Sequence, residues 1–191
     1  MTITAAGLCS EALCKIGARG IDSFDDQSAE AETAAATYPL VKRKLLSSFA
    51  WSFAMARADL ARADGGDAQP CNASCEAACY RYALPSDFLR AAGTSPDFRH
   101  RIAGGALESR AEAVSLCYIA DTDEANFPPL FAAALVSSLA AEFALSMLDD
   151  TARFNALQRQ SLIELREARL ADSQQGMPKK IKNFPLIDSR K

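Results

Sequence analysis

The chain has 191 residues, 21 Lys and Arg against 24 Asp and Glu, and a formal net charge of −3. That length suits one domain, or one domain with an appendage, and buries enough surface to fold without a metal or disulfide staple. The acidic balance argues against a general nucleic-acid binder, whose phosphate contacts need a basic field, and abundant alanine with only 9 Gly and 8 Pro favours helix.

The first residues show no cationic n-region, h-region or cleavage site, so no signal peptide is expected. Residues 4–17 predict a helix: Thr4 suits the N-cap, Ala5, Leu8, Cys9, Ala12 and Ile16 share a face, and Gly17 suits the C-cap. Residues 18–27, with Gly20 and Asp25-Asp26, read as a loop. Ser28 opens a longer helix whose Ala34, Tyr38, Val41, Leu45 and Phe49 form one stripe, with a kink or break expected at Pro39. Lys42, Arg43 and Lys44 lie in its C-terminal half, where cations complement the helix dipole.

The period changes after Trp51. Residues 53–60 mix alternation with helical character, and 64–78 read as a polar loop. Residues 80–84, 98–102 and 114–120 predict short strands, with Gly104-Gly105 marking a turn. Helix returns at Asn126-Phe127-Pro128-Pro129, where prolines fit a first turn, and the apolar run 130–148 follows. That run is long enough to span a bilayer. Glu142, its serines and the lack of flanking Lys or Arg anchors favour instead the central helix of a bundle. Asp149-Asp150-Thr151 restarts a helix to about Asp172, with Phe154, Leu157, Leu165 and Ala168 on one face. Residues 173–191 are basic and aperiodic, and read as a tail.

The expected fold class is mainly α: a helical bundle of two helical hairpins with a small β-rich insertion and an extended C-terminal arm. The bundle takes residues 4–50 and 127–172, the insertion 51–126, and the arm 173–191, so that 1–172 forms one domain. Its core is expected to centre on residues 130–148, with Leu13, Leu45, Phe49 and Trp51 against it.

No active site is legible. His100, the one histidine, sits between Arg99 and Arg101 on a polar strand, a poor setting for a general base. The acids at Asp25-Asp26, Asp149-Asp150 and Asp121/Asp123/Glu124 each precede an expected helix, where the dipole favours them. Cys71, Cys75 and Cys79 have C-x3-C-x3-C spacing, but no second pair or histidines complete a zinc site, so no metal or other cofactor is expected. A local disulfide there would require an oxidising compartment. Cys9 and Cys117 read as small buried hydrophobes.

The order of segments and several short motifs resemble the head-to-tail adaptor (connector) proteins of tailed bacteriophages, most nearly the tail tubular protein A family. The resembling residues begin with Ala12-Leu13-Cys14-Lys15-Ile16-Gly17, Ile21-Asp22-Ser23 and Asp26-Gln27-Ser28-Ala29. Arg43-Lys44-Leu45-Leu46, Trp51-Ser52-Phe53-Ala54 and Arg57-Ala58-Asp59-Leu60 follow. Tyr80-Arg81-Tyr82-Ala83-Leu84-Pro85-Ser86-Asp87-Phe88-Leu89-Arg90 is the longest stretch, and Tyr118-Ile119 and Phe127-Pro128-Pro129-Leu130-Phe131 complete the set. The resemblance covers residues 5 to about 150. The Cys71–Cys79 loop matches no family pattern, and the C-terminal tail is not aligned by motif.

The resemblance implies a non-catalytic virion structural protein, made in the host cytoplasm and placed at the head–tail junction of a phage, prophage remnant or gene-transfer agent. Its implied partners are its own copies in a ring, a dodecamer in that family, together with the portal protein and a downstream tail or stopper protein. Double-stranded DNA would pass through the channel without sequence-specific contacts. It also implies portal binding by the arm, here through Lys179, Lys180, Ile181, Lys182, Phe184, Leu186 and Ile187. Asp25, Asp26 and Glu30 on one side, and Arg153, Arg159, Arg166 and Arg169 on the other, are candidate complementary subunit contacts. The alternative is a cytosolic helical binding module, with a cysteine-based metal site that zinc analysis would reveal.

Overall fold

The computed structural model describes residues 3–63, 69–72, 75–95 and 99–175, of which 69–72 and 75–78 are described by backbone alone. Helix α1 (Ala5–Ile16) starts where Thr4 Oγ1 accepts the Gly7 N–H at 3.2 Å, and stops at Gly17, whose φ of 79° only glycine adopts freely. Helix α2 (Ala29–Ser47) is capped by Ser28 Oγ, which accepts the Ala31 N–H at 3.2 Å. It does not break at Pro39. The proline deprives the Ala35 carbonyl of its donor, but both residues are exposed, so water can serve that carbonyl.

Helix α3 (Pro129–Leu148) opens with a proline in its first turn and ends at Asp149, in the left-handed region with φ of 50°. Leu135, Leu139, Ala140 and Phe143 are wholly buried, because α1, α2 and α4 (Thr151–Gln175) all pack on this one helix. A helix covered on several sides needs no polar face, which accounts for a mean hydropathy of 1.8 over its most apolar window. Leu13, Leu45 and Trp51 are buried against it, with Phe49 partly so, as the sequence implied. The α3–α4 corner is fixed by Asp150, whose carboxylate accepts the Arg153 N–H at 2.9 Å, and by a 2.6 Å hydrogen bond between the Ser138 and Ser161 hydroxyls.

Two antiparallel sheets follow α2 and precede α3 along the chain. One has the order β1-β7-β4, from β1 (Met55–Asp59), β7 (Ser115–Ala120) and β4 (Phe88–Ser95). The other places β6 (Ala106–Ser109) between β3 (Cys75–Ala83) and β5 (His100–Ala103), and β2 (Gln69–Asn72) extends it past β3. Tyr82, Leu107, Val114, Leu116 and Tyr118 form a second core, separate from the helical one.

The mainly-α expectation is therefore corrected: the chain mixes α and β, with four helices and two sheets among the described residues. The β segment builds its own core rather than decorating a bundle. The hairpin expectation is corrected too. α3 and α4 form one, but α1 and α2 pack chiefly on α3 rather than on each other. The polar loop expected over 64–78 is strand at Gln69–Asn72 and from Cys75, and the tail begins later than expected because α4 continues to Gln175.

Candidate functional site

The motif residues converge where the helical layer meets the sheets. Trp51 and Phe53 arrive from the end of α2, and Phe127 and Phe131 from the start of α3. Their rings interlock: Trp51 to Phe131 at 5.0 Å, Phe53 to Phe131 at 5.0 Å, Phe53 to Phe127 at 6.0 Å and Phe127 to Phe131 at 4.9 Å between centroids. All but one of these contacts join segments more than seventy residues apart in sequence, and edge-to-face pairs add ~0.5–1.5 kcal/mol each beyond area burial. Trp51 Nε1 donates to the Leu45 carbonyl at 3.0 Å, so the indole is fixed at both its ring and its nitrogen.

Beside the cluster lies a cavity of about 160 Å³ walled by Phe53, Pro129, Phe131, Ala168, Ala171 and Asp172. Asp172 is buried, and its carboxylate accepts from the Ser52 N–H at 3.0 and 3.1 Å and from the Ser52 hydroxyl at 2.6 Å. The last turns of α4 are thereby tied to the Trp51-Ser52-Phe53 segment. The sequence marked the aromatic motifs; nothing in it marked Asp172, which enters there only as the approximate end of a helix.

A second tie clamps α2 to the segment after β7. Lys42 Nζ is 2.9 Å from Glu124 Oε1 and 3.1 Å from Asp121 Oδ1, the latter a charge contact outside hydrogen-bond alignment. Arg43 Nε donates to Asp121 Oδ2 and the Tyr38 hydroxyl to Glu124 Oε1, at 3.0 and 2.8 Å. Burial opposes charge on all of these groups. The Lys42 and Tyr38 hydrogen bonds at Glu124, and the adjacent Lys42 ammonium with the Arg43 hydrogen bond at Asp121, outweigh it and hold both carboxylates below their ordinary range. The same bonds overcome burial at Lys42 and raise it, whereas burial and Glu124 together push the Tyr38 phenol far up. The Asp121/Asp123/Glu124 run, read from sequence as a helix start, is thus partly an interlayer clamp.

The candidate subunit contacts divide. Asp25 and Asp26 are exposed on the loop before α2, and Glu30 is half-buried in its first turn. Arg159 and Arg166 are exposed on α4. Arg169 is instead engaged within the chain, its guanidinium 3.0 Å from Ser48 Oγ and 5.6 Å above the Phe49 ring. Arg153 donates from its guanidinium to the Lys15 carbonyl at 3.4 Å. The arm residues Lys179, Lys180, Ile181, Lys182, Phe184, Leu186 and Ile187 lie outside the described residues.

One arrangement has the look of nucleophile chemistry: Lys15 Nζ lies 3.0 Å from Ser137 Oγ. Ser137 is wholly buried on α3, so no substrate reaches it, and the lysine serves to satisfy a buried hydroxyl. Among the described residues no three His, Cys, Asp or Glu side chains are placed to hold a metal. Cys79 is disulfide-bonded, while Cys9, Cys14 and Cys117 are free thiols. Cys71 and Cys75 lie outside the described side chains. No protein-family model matches the chain, and no curated protein matches it.

Proposed function

We propose that this chain is a virion structural protein, the subunit of a head-to-tail adaptor ring that joins a portal to the tail and leaves a channel for DNA. The observation that carries the reading is where the resembling motifs sit. Trp51-Ser52-Phe53 and Phe127-Pro128-Pro129-Leu130-Phe131 form the aromatic junction and the wall of its cavity. Arg57-Ala58-Asp59 on β1 pair with Cys117, Leu116 and Ser115 of β7, whose Tyr118-Ile119 stand opposite Ala56 and Met55, and the Tyr80–Arg90 motif supplies the end of β3 and the start of β4. These segments build a scaffold: the aromatic ones lock the start of α3 to the segment after α2, and the others pair the strands. A subunit that transmits a fixed geometry from portal to tail needs that property more than a reactive group.

The surface agrees with the reading. The chain is acidic overall, and a channel wall without a basic field lets DNA slide. Asp22, Asp25 and Asp26 are exposed on the loop before α2 and Arg159 and Arg166 on α4, so unlike faces of neighbouring copies can meet and close a cyclic oligomer. Mixing purified protein with portal rings and imaging the product tests the proposal. A closed ring seated on the portal supports it, and failure to associate with any portal overturns it.

A further inference from the structure

A groove of about 130 Å³ lies between α2 and α4, over α3. Lys44 and Leu45 form one wall, Gln158, Leu162 and Leu165 the other, over Glu142 of α3. Along its α4 rim the helix exposes three large apolar side chains, Leu162 at 53%, Ile163 at 58% and Leu170 at 63%. Arg159, Ile163, Arg166 and Leu170 recur at helical spacing and form one outward stripe. Single exposed leucines are commonplace, but a basic, apolar stripe beside a groove is a surface of defined chemistry.

The complementary chemistry is on the same chain. The loop before α2 exposes Asp22, Asp25 and Asp26, and Glu32 follows on the outer face of α2. This loop is firmly built: Asp26 Oδ2 accepts the Asp22 and Ser23 N–H groups at 3.0 and 3.1 Å, and the Phe24 ring packs 5.9 Å from Tyr38. Tyr38 and Lys42 point to one flank of α2, and Lys44 and Ser48 to another roughly 120° around the helix. The acidic loop sits on the first flank and the groove on the second, so the two cannot meet within one copy.

We propose that the acidic loop of one copy docks on the α2–α4 groove of the next, with Asp22 and Asp25 facing Arg159 and Arg166 and the exposed leucines covered between them. The inference rests on the ring reading above and names the two surfaces that build it. Such a contact is heterologous, head to tail, and repeats around a ring. Its charges are at the rim, so it is steered and weakened by salt.

Disulfide trapping tests it on full-length protein. In a Cys14→Ser background, which removes an exposed free thiol, chains carrying Asp25→Cys are mixed with chains carrying Leu162→Cys and oxidised. The proposal expects a linked heterodimer well above that of a control mixing Glu112→Cys, on the β segment, with Leu162→Cys. Arg159→Glu with Arg166→Glu should cut the linkage roughly ten-fold, equal to ~1.4 kcal/mol of lost attraction. Asp22→Lys with Glu32→Lys on the Asp25→Cys chain should restore it, with circular dichroism confirming that every variant folds. Linkage no higher than the control overturns the docking, and rings on the portal would then leave the adaptor reading intact. Linkage that follows the charge swap while no ring forms supports the docking and counts against the adaptor reading alone.

Discussion

Lys42→Met removes the one ammonium that stands between Asp121 and Glu124. The side chains concerned are 13%, 22% and 22% exposed, between a surface ion pair and a buried one. Exposed pairs contribute ~0.2–1 kcal/mol each, whereas removing one partner of a buried pair costs ~3–5 kcal/mol, so a loss of ~2 kcal/mol is expected here. In a domain of this size that corresponds to a fall of ~4–8 °C in Tm. The pH dependence follows from the directions of the shifts. Asp121 and Glu124 are held below their ordinary values of 3.8 and 4.5, so the unfolded chain takes up protons first as pH falls. Their contribution is full above the unfolded values and is lost as pH drops through the lower folded ones. Lys42, raised above its ordinary 10.5, contributes fully below that value and loses its share only at still more alkaline pH. Urea unfolding followed by circular dichroism should therefore show the full gap between wild type and Lys42→Met at pH 7, and a smaller gap at pH 3. Equal stability at pH 7, or a gap that does not narrow in acid, would refute the clamp.

Leu139→Asp, which puts a charge at a wholly buried position on α3, should unfold the protein; a native Tm would show that α3 is not the hub. Tyr38→Phe should cost ~1 kcal/mol through its lost bond to Glu124, read from the urea midpoint. Asp172→Ala strands the Ser52 N–H and hydroxyl and should cost ~1–3 kcal/mol in the same assay, with the single Trp51 reporting the loosened junction by fluorescence. Deleting residues 176–191 should leave the helical circular dichroism unchanged while abolishing co-sedimentation with portal rings, and retained portal binding would remove the arm from the account.

The helices were legible because their signals are local. Thr4, Ser28 and Gly17 cap where their chemistry predicts, and the length and apolarity of residues 130–148 sufficed to identify the hub. The sheets were less so. β4 reads FLRAAGTS, with register shifts between Phe88 and Arg90 and between Ala91 and Gly93 that break any alternation. β6 is four residues long, recognisable only through its pairing with β3 and β5. At Pro39, where a kink or a break was expected, the helix runs on without a break, since solvent can serve the freed carbonyl. At the junction, Trp51 and Phe131 were visible as motif residues, but Asp172 and the Lys42–Asp121–Glu124 clamp join positions about 80 to 120 apart, and no spacing rule reaches across such distances.

The most direct measurement of the central claim is electron microscopy of the full-length chain incubated with portal rings. The account predicts a closed ring of copies seated on one end of the portal, enclosing a channel continuous with the portal's own. Bare portal rings beside unassembled protein would contradict it.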